Sequence, residues 1–308
     1  MDNLENINLS HNIEFFANQV VEGFITGKHK SPFHGFSVEF AEHRIYNSGE
    51  STKNIDWKLF GKTDKLFVKR YEEETNLRCQ IIIDSSSSMY YPNFLNATLE
   101  SPNKILFSVY ASSVLINLLK RQRDAFGLTT FSNGVDSHIM PKTSSKHQRI
   151  VFSELKNLLS IDALKFNRNS SLENSINEVA QRINKRSLVV LFSDMISNDS
   201  SLENIFDSIR HLKHKKNEVI LFYLSDYKTE INLDFENKPY IFHDVESGED
   251  VKLNPLDYKE DFFKQSSKYL ELLKIMCLQY KIDLVEVDIN KGFDSIISSY
   301  LLKRQKMF

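Results

Sequence analysis

The spacing of apolar positions changes character near residue 77. Before it, Ile13, Phe15, Phe16, Val20 and Val21 form a rough helical stripe within residues 1–30, which then turn loop-like. Residues 31–76 mix aromatic and charged side chains, punctuated by Gly35, Gly49 and Gly61. Gly35-Phe-Ser-Val-Glu-Phe40 and Lys65-Leu-Phe-Val-Lys-Arg-Tyr71 alternate as half-buried strands do. The pattern predicts a small strand-containing module over residues 1–76.

Beyond it, short apolar runs alternate with amphipathic ones. Leu77 to Asp84 (LRCQIIID) reads as a buried strand ending in polar residues. Ser101 to Arg121 reads as a long helix with Pro102 in its first turn, where proline is tolerated. Asp124 to Phe131 and Asp136 to Met140 read as strands joined through an Asn133-Gly134 turn. A helix near 146–160 follows, and Leu172, Ile176, Val179 and Ile183 mark another at spacings of four, three and four. Leu188 to Phe192 (LVVLF) is the most strand-like stretch, followed by a helix carrying Leu202, Ile205, Phe206, Ile209 and Leu212 and a strand at Glu218 to Leu224. Residues 226–255 look irregular, with a hairpin near Tyr240 to Val251; a helix at 257–280, a strand at 282–288 and a last helix from 293 complete the series. Such alternation predicts a doubly wound α/β domain over residues 77–308, its mostly parallel sheet covered by helices on both faces. The string SSLEN occurs at Ser170 to Asn174 and again at Ser200 to Asn204, each time as a Ser-x-x-Glu capping box before an amphipathic run.

Composition narrows the class. The 308 residues are 41% hydrophobic and 26% charged, with 39 Lys and Arg against 41 Asp and Glu, a net charge of −2. That balance suits a globular protein with a sizeable core and argues against a general nucleic-acid binder, which carries a basic field. The cysteines, Cys79 and Cys277, form no Cys-x-x-Cys pair, so neither a thiolate zinc site nor a redox dithiol is available. The acidic, polar start MDNLENINLSHNIEFF lacks a signal-peptide layout. The apolar run Ile105 to Leu119 is broken by Ser108, Ser112, Ser113 and Asn117, short of the roughly 18–20 apolar residues a membrane helix needs. The expectation is a cytoplasmic protein with no direct membrane insertion.

The sharpest chemical signal is Asp84-Ser-Ser-Ser-Ser88, directly after Ile81-Ile82-Ile83. A carboxylate and several hydroxyls leave one buried strand together, at the edge of an open parallel sheet where ligands bind. Asp194 follows the LVVLF strand at the same edge. Hard oxygen donors of low charge suit magnesium. Asp and Ser also favour turns and helix caps, and Ser170 has a partner for such a cap in Glu173. Gly61-Lys62-Thr63 imitates the end of a phosphate-binding loop, but Asp56 stands where its first glycine is needed. Trp57, the lone tryptophan, reads either as an interface anchor or as packing for the small module. The histidines show no metal-type spacing, and no Gly-x-Ser-x-Gly elbow is present.

The spacing Asp84-x-Ser86-x-Ser88, with Asp194 after a later strand, resembles the metal-ion-dependent adhesion site of von Willebrand factor A domains. The resemblance implies that Asp84, Ser86, Ser88 and Asp194 bind a metal, with Ser170 as a middle-loop hydroxyl and Ser171 the next candidate. Magnesium is the expected ion, with manganese or calcium as alternatives. The upstream segments Phe36-Ser-Val-Glu-Phe40, Arg44-Ile-Tyr46, Ile55-Asp56-Trp57-Lys58, Lys65-Leu-Phe-Val-Lys69 and Tyr71-Glu-Glu-Glu74 resemble the bacterial domain-of-unknown-function 58 family, often encoded beside MoxR-type AAA+ ATPases. Where that family commonly has Gly-Asp-Asp, this sequence has Gly49-Glu50-Ser51. The resemblance implies a non-enzymatic adaptor that works with a MoxR-type ATPase in chaperone-like assembly of clients. The alternative is a magnesium-dependent hydrolase of phosphate esters, for which the sequence supplies no evident general base.

Overall fold

The computed structural model describes residues 13–24, 43–45, 57–69, 77–94, 96–160, 172–196, 201–244 and 248–307. In chain order the principal elements are helix α1 (13–24), β1 (His43–Ile45), α2 (Trp57–Thr63), β2 (Phe67–Lys69), β3 (Arg78–Asp84), α3 (Lys104–Arg121), β4 (Ala125–Phe131), β5 (Val135–Lys142) and α4 (Ser145–Asn157). They continue as α5 (Leu172–Arg182), β6 (Leu188–Ser193), α6 (Leu202–His214), β7 (Glu218–Ser225), β8 (Tyr240–His243), β9 (Asp250–Leu253), α7 (Lys259–Gln279), β10 (Asp283–Asp288) and α8 (Asp294–Met307).

The chain divides into two compact units, Met1–Thr26 with Leu77–Phe308, and Gly27–Asn76. This corrects the expected module over residues 1–76. Helix α1 belongs to the larger unit because Ile13, Ala17 and Val21 are fully buried, and Phe16 meets the rings of Tyr110 and Phe293 edge-on. In the smaller unit, β1 and β2 pair antiparallel, with Arg44 opposite Val68. The strand expected at Lys65 to Tyr71 is present as β2, whereas the one at Gly35 to Phe40 lies outside the described residues. Trp57 opens α2, is 62% exposed and meets Phe60 edge-on.

The larger unit is the expected doubly wound α/β domain. Its six-stranded sheet has the order β10-β7-β6-β3-β4-β5. All neighbours pair in parallel except β5, which turns back along β4 as an antiparallel edge. Strands β3 and β6 are central, and their apolar residues are buried on both sides, as a parallel sheet under two helical layers requires. Ile82, Val189, Leu191, Val219 and Leu221 pack with α5, α6 and α7 on one face. On the other face Phe107 of α3 stacks on Phe293 before α8, beneath α1.

From β3 the chain winds outward through β4 and β5, then returns to β6 beside β3 and winds the other way through β7 and β10. The carboxyl ends of β3 and β6 therefore flank the point where winding reverses, and a ligand crevice opens there in such sheets. The hairpin expected between residues 240 and 251 is present as β8 and β9. No described helix is long and apolar enough to cross a membrane.

Helix α3 begins at Lys104, three residues later than its pattern suggests. Asn103 is the N-cap, accepting a hydrogen bond from Leu106 N at 2.8 Å, so Pro102 precedes the helix instead of entering its first turn. Asn103 is 3% exposed and also donates to the Asn93 carbonyl at 3.0 Å. Replacing Asn103 by Ala removes both bonds and should destabilise the fold by about 1–2 kcal/mol, read as a lower urea midpoint at unchanged slope.

Candidate functional site

Asp84 closes β3, and its backbone partner strand β6 ends one step away at Ser193. Register thus brings Asp84 and Asp194 together at neighbouring strand ends. Asp84 is fully buried, and both of its oxygens are engaged. Oδ1 accepts from Ser86 N at 3.0 Å, and Oδ2 accepts from the Ser193 hydroxyl at 2.8 Å. Burial pushes its pKa up to about 7, the nearby Asp194 carboxylate pushes the same way, and the hydrogen bonds from Ser86 and Ser193 oppose them.

Beyond Asp84 the chain turns into a short helical turn over Ser87–Tyr90, which leaves the alternate serines facing one place. Ser86 Oγ and Ser88 Oγ stand 3.1 Å apart, with Ser86 fully buried and Ser88 8% exposed. Two oxygens bound cis to octahedral magnesium lie about 3.0 Å apart, given bonds of roughly 2.1 Å. The hydroxyl pair and the carboxylate behind it therefore fit a small hard cation. Ser85 faces elsewhere and bonds to the Phe131 carbonyl at 2.8 Å. Ser170 and Ser171 lie outside the described residues. Near the second SSLEN string, the residue that caps α6 is Ser201, which accepts from Asn204 N at 3.4 Å, one position later than a Ser200–Glu203 box requires.

Asp194 is held differently. It is 1% exposed; Oδ1 accepts from Ile196 N at 3.3 Å, and Oδ2 receives the Lys104 ammonium at 2.8 Å. The next residue, Met195, takes a left-handed φ of 54°, held by its N–H bond to Ser193 Oγ at 2.9 Å and by the Tyr269 hydroxyl donating to its carbonyl. That turn carries the chain away from the strand end so that Asp194 stays at the crevice.

The sequence reading missed Lys104, Ser193 and Glu230. Lys104 is 1% exposed, and its ammonium bridges Asp194 and Glu230, the latter at 2.6 Å. Burial alone pulls a lysine pKa down, but these two carboxylates more than offset it, so Lys104 stays charged. One signal was available. Lys104 occupies the first position of α3, where the helix dipole disfavours a cation. Glu230 comes from the turn Tyr227–Ile231 after β7, anchored by Asp226 N at 2.8 Å. Tyr91 ties the serine loop to this turn by donating to Thr229 Oγ1 at 2.7 Å.

Beside these groups lies a cavity of about 590 Å³. Ser88, Lys104, Asp194 and Glu230 contribute polar atoms to its lining; Ile196, Leu233, Phe235 and Phe262 are among its apolar walls. Among the described residues, the hydrogen bonds of Asp84, Ser86 and Ser88 run to serine side chains and backbone and to no histidine.

The raised pKa of Asp84 has a measurable consequence. The unfolded chain releases this proton near pH 4 and the folded chain holds it until about 7. Between those values the folded state binds more protons, so Asp84 reduces stability as pH rises. In EDTA, Asp84→Asn should remove a pH-dependent loss of as much as about 4 kcal/mol across this window. Urea melts at a series of pH values check it: equal slopes in both proteins would refute the assignment.

A family model described as "Protein of unknown function DUF58" matches residues 42–268. Uncharacterized protein Rv1480 of Mycobacterium tuberculosis is 20% identical over 184 residues, covering 60% of this chain and 55% of that protein. The chain thus spans about half the length of the curated relatives it matches. Among solved structures it is similar to BatB, a conserved hypothetical protein from Bacteroides thetaiotaomicron, at 16% identity and a TM-score of 0.48, covering 75% of this chain and 98% of that one. It is also similar to an aerotolerance-related membrane protein from Bacteroides fragilis at 14% identity and a TM-score of 0.46, covering 74% and 97% of the two chains. A match running from residue 42 to residue 268 takes in most of the sequence, and the chain belongs to the DUF58 family.

Proposed function

We propose that this chain is a non-enzymatic, cytoplasmic binding or adaptor protein that engages a partner protein through a divalent cation. Asp84, Ser86, Ser88 and Asp194 would hold the ion, with Ser170 as the further hydroxyl that the adhesion-site resemblance implies. Magnesium is the ion expected, with manganese or calcium as alternatives. The observation that supports this reading is the pair of serine hydroxyls 3.1 Å apart beside a buried carboxylate, at the reversal point of the sheet.

A bound ion would supply an electrophilic position that a partner carboxylate completes. The chain's own residues do the rest. Asp84 fixes the serine loop through Ser86 N and receives the Ser193 hydroxyl, so the hydroxyl pair is held ready before any ligand arrives. Neutral serine donors leave positive charge uncancelled, which favours an incoming Asp or Glu. The adjoining cavity, with Ile196, Leu233 and Phe262 in its walls, accepts apolar side chains flanking that acid. By family resemblance, the partner is a MoxR-type AAA+ ATPase and the outcome is assembly or activation of a client.

The test is affinity capture from native cell extract with wild type and Asp84→Ala, each in magnesium and in EDTA. An AAA+ ATPase identified by mass spectrometry only with wild type in magnesium is the expected result, with retention at least about tenfold above the other arms, a difference of 1.4 kcal/mol or more. Equal retention of that ATPase in all four arms would rule out a metal-bridged contact.

A further inference from the structure

A buried ammonium next to a cation site needs its own explanation. Lys104 Nζ is 2.8 Å from Asp194 Oδ2 and 2.6 Å from Glu230 Oε1, and it lies 5.8 Å from the centre of the Tyr91 ring. We infer that Lys104 is a tethered counter-cation that competes with the divalent ion for Asp194, and that Glu230 is the seat that keeps it when the ion binds. The inference rests on the proposed cation site and deepens it by naming what sets its affinity.

Three observations carry it. Lys104 stands at the start of α3, against the helix dipole, so it is kept there by the carboxylates it meets. Both oxygens of Asp194 are already engaged, Oδ1 by Ile196 N and Oδ2 by Lys104, so an ion that draws on Asp194 must share it with a positive charge. Glu230 gives that ammonium an alternative partner, positioned by Asp226 N.

The signs of the effects follow from charge. With Asp84 in the carboxylate form that a bound cation holds it in, Asp84, Asp194 and Glu230 against Lys104 leave two net negative charges around the site. Removing the ammonium makes it three and frees Asp194 Oδ2; removing the Glu230 charge makes it one and leaves Lys104 wholly to Asp194. Occupancy is also linked to the cavity, because Thr229, Glu230 and Ile231 line it. An ion that loosens the Lys104–Asp194 pair leaves the ammonium on Glu230, which lines the cavity.

Manganese titrations followed by electron paramagnetic resonance of the free ion test this in wild type, Lys104→Met and Glu230→Gln. Lys104→Met should bind Mn²⁺ about tenfold tighter or more, and Glu230→Gln severalfold weaker, since the first removes a positive charge beside Asp194 and the second a negative one. Lys104→Met also leaves Asp194 buried without a counter-ion, so saturating Mn²⁺ should raise its melting temperature more than that of wild type. Wild-type binding with no tightening in a folded Lys104→Met overturns the inference and leaves the cation site standing. Where Lys104→Met does not fold, Glu230→Gln decides: affinity equal to or above wild type overturns it. Failure of all three proteins to bind Mn²⁺ overturns the cation site and this inference together.

Discussion

Two carboxylates placed at the ends of adjacent buried strands repel each other, and neither has bulk water to screen it. Asp84 and Asp194 are in that position, 0% and 1% exposed. The surrounding structure is organised to tolerate them. Asp84 is raised toward neutrality and steadied by Ser86 N and Ser193 Oγ. Asp194 is neutralised by Lys104, which in turn depends on Glu230. A cluster of this kind contributes little net stability, because desolvation consumes most of what pairing returns.

The fold supplies the geometry with few parts. Parallel pairing of β3 with β6 fixes which residues share the edge, with Ile83 opposite Phe192 and the acids following. The reversal of winding between these strands puts the serine turn and Asp194 at the kind of sheet edge where ligands bind. The segment after β7 then closes one side, joined to the serine loop by the Tyr91–Thr229 bond and to the chain beyond β10 by Asn290 donating to Asp226 at 2.6 Å. Precise placement of the hydroxyls thus rests on rigid strands, while the cavity wall rests on a short turn.

How much of this was legible in the sequence depends on the distance over which each feature is determined. The placement of Asp84 at the end of one buried strand, with Ser86 and Ser88 just beyond, could be read because an apolar run and its polar end are local, and that of Asp194 because LVVLF repeats the same grammar. Lys104 could not be read in that way. Its partners lie 90 and 126 residues away, and the one local signal, a cation at the first position of α3, does not name them. Boundaries suffered similarly. The cap of α3 is Asn103 and that of α6 is Ser201, each chosen by which side chain reaches a free N–H, a matter of angles that a Ser-x-x-Glu string does not encode. Helix α1 joined the larger unit through ring contacts with Tyr110 and Phe293, far along the chain.

The reading that Asp84, Ser86, Ser88 and Asp194 form a cation site has a direct physical test. Crystals grown in saturating Mn²⁺ would give an anomalous-difference peak within bonding distance of both Ser86 Oγ and Ser88 Oγ, on the side facing Asp84 and Asp194. Absence of a peak there, or density confined to surface carboxylates elsewhere, would contradict it.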